Sequence, residues 1–221
     1  AIRDRAPLAK TVDLHLLGEM RVREDGDWFK FEAMERICPE RGFLWQGRIE
    51  GLGRVSAEGA EYFSGGRAAS EFFIGGLLPL VRVHDGEFGR SSAGRLLIES
   101  IWLPACLTPD RGALWHPGDD HRCTVRLPGQ AEITSLNMTV AESGALIDVS
   151  MMRHQGGEAN NFGLMPFGIR VSREYRQNNT CGKYDYFFSH FISYQLSCTY
   201  YFFFFKQKTA YEICSRSRHS C

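Results

Sequence analysis

The sequence predicts an α+β fold, in which a curved antiparallel sheet packs one or two helices on one face. Three observations support this fold class. Apolar and polar side chains alternate over most of the stretch from Trp28 to Met151. Short, glycine-rich turns separate the alternating segments. One segment near the middle of the chain instead has its apolar residues at helical spacing.

The clearest strand prediction is for residues 42–51, GFLWQGRIEG. Here Phe43, Trp45 and Ile49 point one way and Leu44, Gln46, Arg48 and Glu50 point the other, which is typical of a strand with one face on a core and a wetter opposite face. Residues 28–33 alternate in the same manner. Further candidate strands are residues 53–57, 61–64, 71–74, 79–84, 123–127, 132–140 and 145–151.

The predicted strands are joined by short turns. Glycine supplies the positive φ that tight connections need, and aspartate, serine and proline favour the same turns. Strands connected so tightly must be antiparallel neighbours. The predicted turns contain Ser64–Gly66, Gly75–Gly76, Asp85–Gly86, Pro128–Gly129 and Ser143–Gly144.

Residues 92–103 are predicted to form an amphipathic helix. Ser91 or Ser92 is placed to cap its first turn, and Pro104 to end it, because proline lacks the N–H that the next turn would need. Arg95 and Glu99, four residues apart, are predicted to pair. A weaker helical pattern covers residues 6–17. The apolar stripe of the main helix is Leu97, Ile98, Ile101 and Trp102.

The end of the chain has a different character. Residues 202–213 read FFFFKQKTAYEI. This string resembles the translation of a run of thymidines followed by a sequencing-library adapter, since thymidine triplets encode phenylalanine. We therefore interpret residues 1–175 as one α+β domain and residues 176–221 as a tail that is not native to it, and we expect this tail to make few contacts with the body.

Charge gives no indication of a nucleic-acid or membrane partner. Of the 26 basic and 26 acidic residues, six and two lie beyond residue 175, so the body has a net charge of about −4. Nucleic-acid-binding domains are usually basic. Residues 184–205 are aromatic but contain Asp185, His190 and Gln195 and lack an aliphatic run, so no stable membrane span is predicted.

Cysteine usage favours a reducing compartment. The body contains Cys38, Cys106 and Cys123, widely spaced and without a C-x-x-C motif, which is typical of reduced, partly buried thiols. Residues 1–10 have no apolar stretch like that of a signal peptide. We therefore expect a cytoplasmic protein, with one disulfide or a reactive thiol as the alternatives.

Several motifs in a fixed order resemble those of an uncharacterised bacterial family, a domain of unknown function. The resemblance covers residues 18–175. It begins with an F-x-A motif at Phe31 and Ala33. The later motifs are G-F-x-W at Gly42, Phe43 and Trp45; E-x-x-W-x-P at Glu99, Trp102 and Pro104; W-x-x-x-D-D at Trp115, Asp119 and Asp120; an Arg-containing strand end at Arg153; and a P-F-G turn at Pro166, Phe167 and Gly168.

The resemblance implies a fold similar to the lipoprotein-carrier half-barrel, a curved antiparallel sheet around helices, with an apolar cavity. Members of the family continue after residue 175 with a G-x-x-I-P turn and closing strands. This chain reads RQNNTCGKYDYFF at residues 176–188 instead. The resemblance therefore implies that the domain lacks its last strands and that one sheet edge is unpaired, which would favour aggregation.

The candidate ligand-binding residues are apolar. We expect the tryptophans either to fill the core or to line a cavity, since each buries a large area and has one N–H to satisfy. The predicted lining residues are Trp45, Leu97, Ile101, Trp102 and Trp115.

Polar candidates are fewer. Glu99 is a weak catalytic candidate, because a carboxyl beside an apolar pocket can have a raised pKa. Arg95, Asp119, Asp120 and Arg153 are its possible partners. Asp119, Asp120 and the two flanking histidines of the segment WHPGDDHR are potential metal ligands. Proline and glycine in the same segment indicate a turn, so we predict no metal there, and we predict no cofactor.

Three functions remain open from the sequence. The favoured one is binding of an apolar or lipid-like ligand between sheet and helix. The alternatives are an enzyme that uses Glu99 with Arg153 or with Asp119 and Asp120, and a protein-interaction domain.

Overall fold

Alternating side chains build two antiparallel sheets in the computed structural model. It describes residues 10–21, 26–52, 55–84, 86–129, 131, 134–155, 163–171, 176–178, 183–191 and 204–214. Within these residues every strand pairing is antiparallel. The α+β class and the antiparallel sheet with a helix on one face are therefore confirmed, with the strands divided between two sheets.

The larger sheet has the order β12-β13-β14-β1-β2-β3-β4-β5-β6. Its strands β1 to β6 form a continuous meander, with turns at residues 65–66 and 75–77 where the glycine pattern predicted them. They are β1 (Val12–Arg21), β2 (Phe29–Cys38), β3 (Gly42–Leu52), β4 (Val55–Ser64), β5 (Arg67–Ile74) and β6 (Leu78–His84); the remaining strands are β12 (Arg176–Asn178), β13 (Lys183–Phe191) and β14 (Phe204–Cys214).

The smaller sheet has the order β11-β10-β9-β8-β7. Its inward residues Val125, Leu136 and Val149 are fully buried. The strands are β7 (Leu114–Pro117), β8 (Arg122–Arg126), β9 (Ser135–Val140), β10 (Leu146–Gln155) and β11 (Gly163–Arg170).

One α-helix in the described residues, α1 (Gly86–Glu99), connects the two sheets. It contacts β3, β4, β5 and β6 of the larger sheet and β10 of the smaller one. Its residues Leu97 and Ile98 are buried in a core that both sheets share. Three 3-10 turns, Ser100–Trp102, Pro104–Leu107 and Pro109–Arg111, lead from α1 to β7.

The predicted bounds of the main helix were wrong. The α-helix begins at Gly86, so Ser91 and Ser92 lie in its interior rather than at its cap, and it ends at Glu99, before Pro104. Residues 100–102 tighten into a 3-10 turn, a common ending for an α-helix. The predicted burial of Trp102 is confirmed at 8% exposure.

The helix predicted over residues 6–17 was also wrong wherever the structure describes it. Residues 12–17 belong to β1, which pairs with β2 from Val12↔Ile37 to Met20↔Phe29. Val12, Leu14 and Leu16 all point inward, a period of two that pairing with β2 stabilises. Residues 1–9 lie outside the described residues. The P-F-G motif at Pro166–Gly168 lies inside β11 rather than in a turn.

The predicted tail contributes strands to the larger sheet. β14 pairs with β1 from Gly18↔Gln207 to Arg21↔Phe204, and β13 pairs with β14. We had expected few contacts between this region and the body, and that expectation was wrong. The hydrogen bonds of a ladder join backbone groups that almost every residue carries, so the pairing does not identify the origin of residues 202–213.

None of the helices in the described part of the chain is both long enough and apolar enough to cross a membrane.

Candidate functional site

A row of polar residues crosses the otherwise apolar inner face of the larger sheet. In the strand register Glu35 on β2 is opposite Trp45 on β3, Trp45 is opposite Glu61 on β4, and Glu61 is opposite Ser70 on β5. Directly paired residues share one face of a sheet. Two carboxyl groups therefore flank Trp45 in the protein interior.

Local sequence explains why Glu35 is inward. On β2 the inward positions are Phe31, Ala33, Glu35 and Ile37, and all four are buried. Because side chains alternate strictly along a strand, Glu35 cannot reach water without turning its apolar neighbours outward. Its side chain is only 2% exposed.

Arg95 of α1 forms ion pairs with the two carboxyl groups of this row. Its guanidinium contacts the Glu35 carboxyl at 2.8 Å, the Glu61 carboxyl at 3.0 Å and the Glu99 carboxyl at 2.9 Å. The predicted pair of Arg95 and Glu99 is thus confirmed, and two more carboxylates join it. The guanidinium carbon also lies 4.6 Å from the centre of the Phe43 ring, a cation–π contact.

Gly47 makes room for this arrangement. The Trp45 indole folds back along its own strand and covers Gly47, where an added Cβ would lie 2.4 Å from the ring. The indole then contacts Phe31 and Phe72, with ring centres 6.3 Å and 5.7 Å away.

Arg153 of β10 approaches the same helix from the smaller sheet. It donates hydrogen bonds to the Ser91 carbonyl at 2.9 Å and to Ser91 Oγ at 3.0 Å, and it stacks on Phe167. Gly94 allows this passage, since a Cβ there would lie 2.8 Å from Arg153 Cγ. Burial, together with the positive charge of Arg95, lowers the pKa of Arg153 to about 10.

Burial makes the protonation state of Glu35 unusual. Desolvation raises its pKa well above the ordinary value of 4.5, and the charge of Glu99, a hydrogen bond with that carboxyl, and the charge of Glu61 act in the same direction. The attraction of Arg95 opposes this rise without overcoming it. The buried Glu35 carboxyl therefore favours its protonated form, although Arg95 lies beside it.

Two buried polar atoms on α1 have no hydrogen-bond partner. Among the described side chains these are Glu99 Oε2 and Ser92 Oγ. They lie seven residues apart, on the same face of the helix as Arg95. Buried polar atoms in folded proteins usually have a hydrogen-bond partner, so two atoms without one on the same helix face are unusual.

The apolar candidates lie around the cluster. Leu97, Ile101 and Trp102 are buried in the shared core, with Trp45. Trp115 is half-buried on β7 and donates its indole N–H to the Leu107 carbonyl at 2.9 Å. The structure thus brings four of the five predicted lining residues into the core and leaves Trp115 at its margin.

Asp119 and Asp120 take no part in the cluster. They are exposed in the turn between β7 and β8, where Asp119 accepts a hydrogen bond from the His121 backbone N–H. This is the turn geometry that WHPGDDHR predicted. The described residues contain no group of three or more potential ligands that could hold a metal ion.

Sequence reasoning missed Glu35 and Glu61. The signal was present for Glu35, because it occupies an inward position of an alternating strand, which is unusual for a carboxylate. Glu61 was within a predicted strand, but nothing local indicated that it would face Arg95. Their meeting depends on the pairing of three strands with a helix that lies 60 residues from Glu35.

With this geometry established, comparisons place the chain in a family. The sequence profile of a family of unknown function, DUF6544, matches residues 1–182. The chain belongs to this family. No curated protein matches it.

A solved structure also resembles the DUF6544 chain. It is the crystal structure of a LolA superfamily protein from Nitrosomonas europaea, with 12% sequence identity and a TM-score of 0.34. The match covers 75% of this chain and 80% of the other.

Proposed function

We propose that this protein binds an apolar, lipid-like ligand between the inner face of the larger sheet and α1. The observation that carries the proposal is the line of aromatic rings across that face. Phe31, Trp45 and Phe72 stand on three strands, with neighbouring ring centres 6.3 Å and 5.7 Å apart. Such rings present flat apolar surface along which an acyl chain can lie, at about 0.8 kcal/mol for each buried methylene.

The edge of the sheet is where we place the route to this face. Leu80 and Val81 on the edge strand β6 and Phe88 in the first turn of α1 are only partly buried, although all three pack against the core. Partly exposed apolar side chains at the margin of an apolar interior are typical of a ligand entrance. We propose that the ligand enters between β6 and α1.

The enzyme alternative has one observation in its favour. A buried carboxyl with a raised pKa, that of Glu35, beside a guanidinium is an arrangement that general acid–base catalysis uses. All three carboxyls, however, are held by Arg95. A catalytic carboxyl needs reach to a substrate, so we favour binding.

The cytoplasmic location remains part of this proposal. Cys38, Cys106 and Cys123 are free thiols. Burial raises the pKa of Cys106 to about 11, so this thiol resists ionisation and oxidation.

Quenching of tryptophan fluorescence tests the binding proposal. A long-chain alcohol with bromine on its chain quenches only indoles that it contacts, and the same alcohol without bromine is the matched ligand. We expect saturable quenching that decreases strongly in Trp45→Phe. The control Trp28→Phe, at a half-buried position before β2, should keep it. Absence of saturable quenching, or quenching that survives Trp45→Phe unchanged, would overturn the proposal.

A further inference from the structure

We propose that the turn between β5 and β6 docks on a lipid surface by inserting Leu77 and Leu78 into it. These two leucines are the most exposed large apolar side chains among the described residues, at 84% and 66%. They lie at the beginning of β6, which forms one edge of the larger sheet. The docking surface does not depend on what binds between the sheet and α1.

The turn and the strand ends beside it carry no charged or polar side chain. Residues 72–81 read FFIGGLLPLV. Glu71 and Arg82 bound this stretch, where they are directly opposite in register and form an ion pair at 3.5 Å. At about 3.3 Å per residue, the four residues from Glu71 to Gly75 extend up to about 13 Å. Interfacial helices bury their apolar face about 5–10 Å deep, so a turn of this length reaches that depth before a charge does.

The backbone of the turn fits an apolar medium. In lipid a backbone N–H without a partner is costly, because no water replaces the missing acceptor. The Gly75 N–H donates to the Ser56 carbonyl at 2.9 Å, and the Leu77 N–H donates to the Ile74 carbonyl at 3.2 Å. Pro79 has no N–H. The exposed turn thus pairs these groups internally, which lipid requires and water does not.

The shape of the turn also favours a lipid surface over a protein partner. A Cβ added at Gly75 or Gly76 would meet no heavy atom within 4 Å, so the turn protrudes. Val55, which is 46% exposed, lies beside it, next to the Ser56 carbonyl that accepts the Gly75 hydrogen bond. Specific protein interfaces surround an apolar centre with a polar rim, and residues 72–81 offer none. A lipid surface needs only the apolar point.

Charge indicates that this surface is zwitterionic rather than anionic. Anionic lipids attract clusters of lysine and arginine. The basic residues nearest to the turn on β6 are Arg82 and His84, and both contact the Glu71 carboxylate, at 3.5 Å and 3.3 Å. The body has a net charge of about −4. Docking therefore depends on the burial of the leucines and takes phosphatidylcholine as its lipid.

Sedimentation with sucrose-loaded phosphatidylcholine vesicles tests the docking. We expect the unmodified protein to sediment with the vesicles, and its apparent affinity for lipid to fall about tenfold for each leucine that Leu77→Ser/Leu78→Ser removes. Leu114→Ser, at a 57% exposed position on β7, is the matched control and should bind as the unmodified protein does. Both sites are exposed, so these variants should keep the fold, as near-ultraviolet circular dichroism checks.

Three results would overturn the docking proposal. The first is that the unmodified protein does not sediment, or that the double variant sediments equally well. The second is binding that needs an anionic lipid and disappears in about 1 M salt, which would indicate charge rather than the leucines. The third is that Leu77→Ser/Leu78→Ser changes the size-exclusion volume while vesicles bind neither protein, which would make the turn a contact between copies of this chain.

An introduced indole reports the contact directly. Leu77→Trp should add fluorescence that phosphatidylcholine with brominated acyl chains quenches, whereas the fluorescence added by Leu114→Trp should persist. Equal quenching of both, or of neither, would contradict the placement of this turn in lipid. Ligand binding is measured without vesicles by the Trp45→Phe comparison, so failure of the docking and failure of the proposed function are distinguishable.

Discussion

At the scale of single residues, one position decides the electrostatics of the interior. Glu35 occupies an inward site of β2 with 2% side-chain exposure, between the apolar residues Ala33 and Ile37. Removing a carboxylate from water is expensive, and Arg95 compensates for only part of this cost because it also serves Glu61 and Glu99. Protonation of Glu35 is the physical resolution, and it makes stability depend on pH.

The sign of this dependence follows from the raised pKa. Since folded Glu35 holds its proton above the ordinary pKa of 4.5, the resulting stabilisation is complete below that value and is lost as pH rises towards the folded pKa. Between the two values the free energy of unfolding should fall by about 1.4 kcal/mol per pH unit from this group. Glu35→Gln mimics the protonated carboxyl, so the decline should flatten in this variant.

The measurement is the urea midpoint of unfolding as a function of pH. Glu50→Gln, at an exposed position on β3, is the matched control and should keep the slope of the unmodified protein. Parallel pH profiles for Glu35→Gln and the unmodified protein would contradict the assignment of the proton to Glu35.

At the scale of secondary-structure elements, strands were easier to predict than the helix. Residues 42–51 were predicted with the correct faces because their alternation is strict and their partners are adjacent in the chain. The first turns of α1 contain Gly86, Gly89 and Gly94, which have low helix propensity. Gly94 is explained by tertiary packing, because the absence of a side chain there lets Arg153 pass across the helix.

A glycine on β3 provides a prediction for this scale. Gly47→Ala should destabilise the protein by about 1–3 kcal/mol, the usual cost of overpacking, because the added Cβ would lie 2.4 Å from the buried Trp45 ring. On β-propensity alone alanine should be no worse than glycine in a strand. Chemical denaturation of the two proteins measures the difference.

The double variant separates the causes. In the background of Trp45→Phe, whose shorter ring has no atom in the place of the outer indole ring, Gly47→Ala should cost clearly less. An equal cost in both backgrounds would show that the backbone, rather than the indole, requires glycine.

At the scale of the whole molecule, α1 joins two sheets into one core. The described buried core lies between Val12 and Val171. The family match extends to residue 182. We propose that the remainder of the region predicted as a tail, residues 176–221, is not native to the domain, although β14 covers part of the edge of β1. The pairing with β14 protects this part of the β1 edge, because the backbone groups there are then hydrogen-bonded.

Shortening the chain tests this interpretation. A chain ending at residue 182, the end of the family match, should keep its cooperative unfolding transition, because the core remains. It should also self-associate through the uncovered edge of β1, as seen by size-exclusion chromatography. Leu17→Lys, which places a charge at an exposed position of that strand, should reduce the association. Loss of folding in the shortened chain would instead make the tail a part of the domain.

Sequence alone determined the alternation of β2 and β3, the turns at Ser64–Gly66 and Gly75–Gly76, and the burial of an apolar stripe ending at Trp102, but not β1, part of which it assigned to a helix. These features depend on contacts between residues close in the chain, whose spacing can be read directly. Only the tertiary structure decided that Glu35, Glu61, Arg95 and Glu99 meet and that Asp119 and Asp120 do not. Such a meeting depends on strand register and helix docking together, and no local pattern encodes how distant elements are placed against each other.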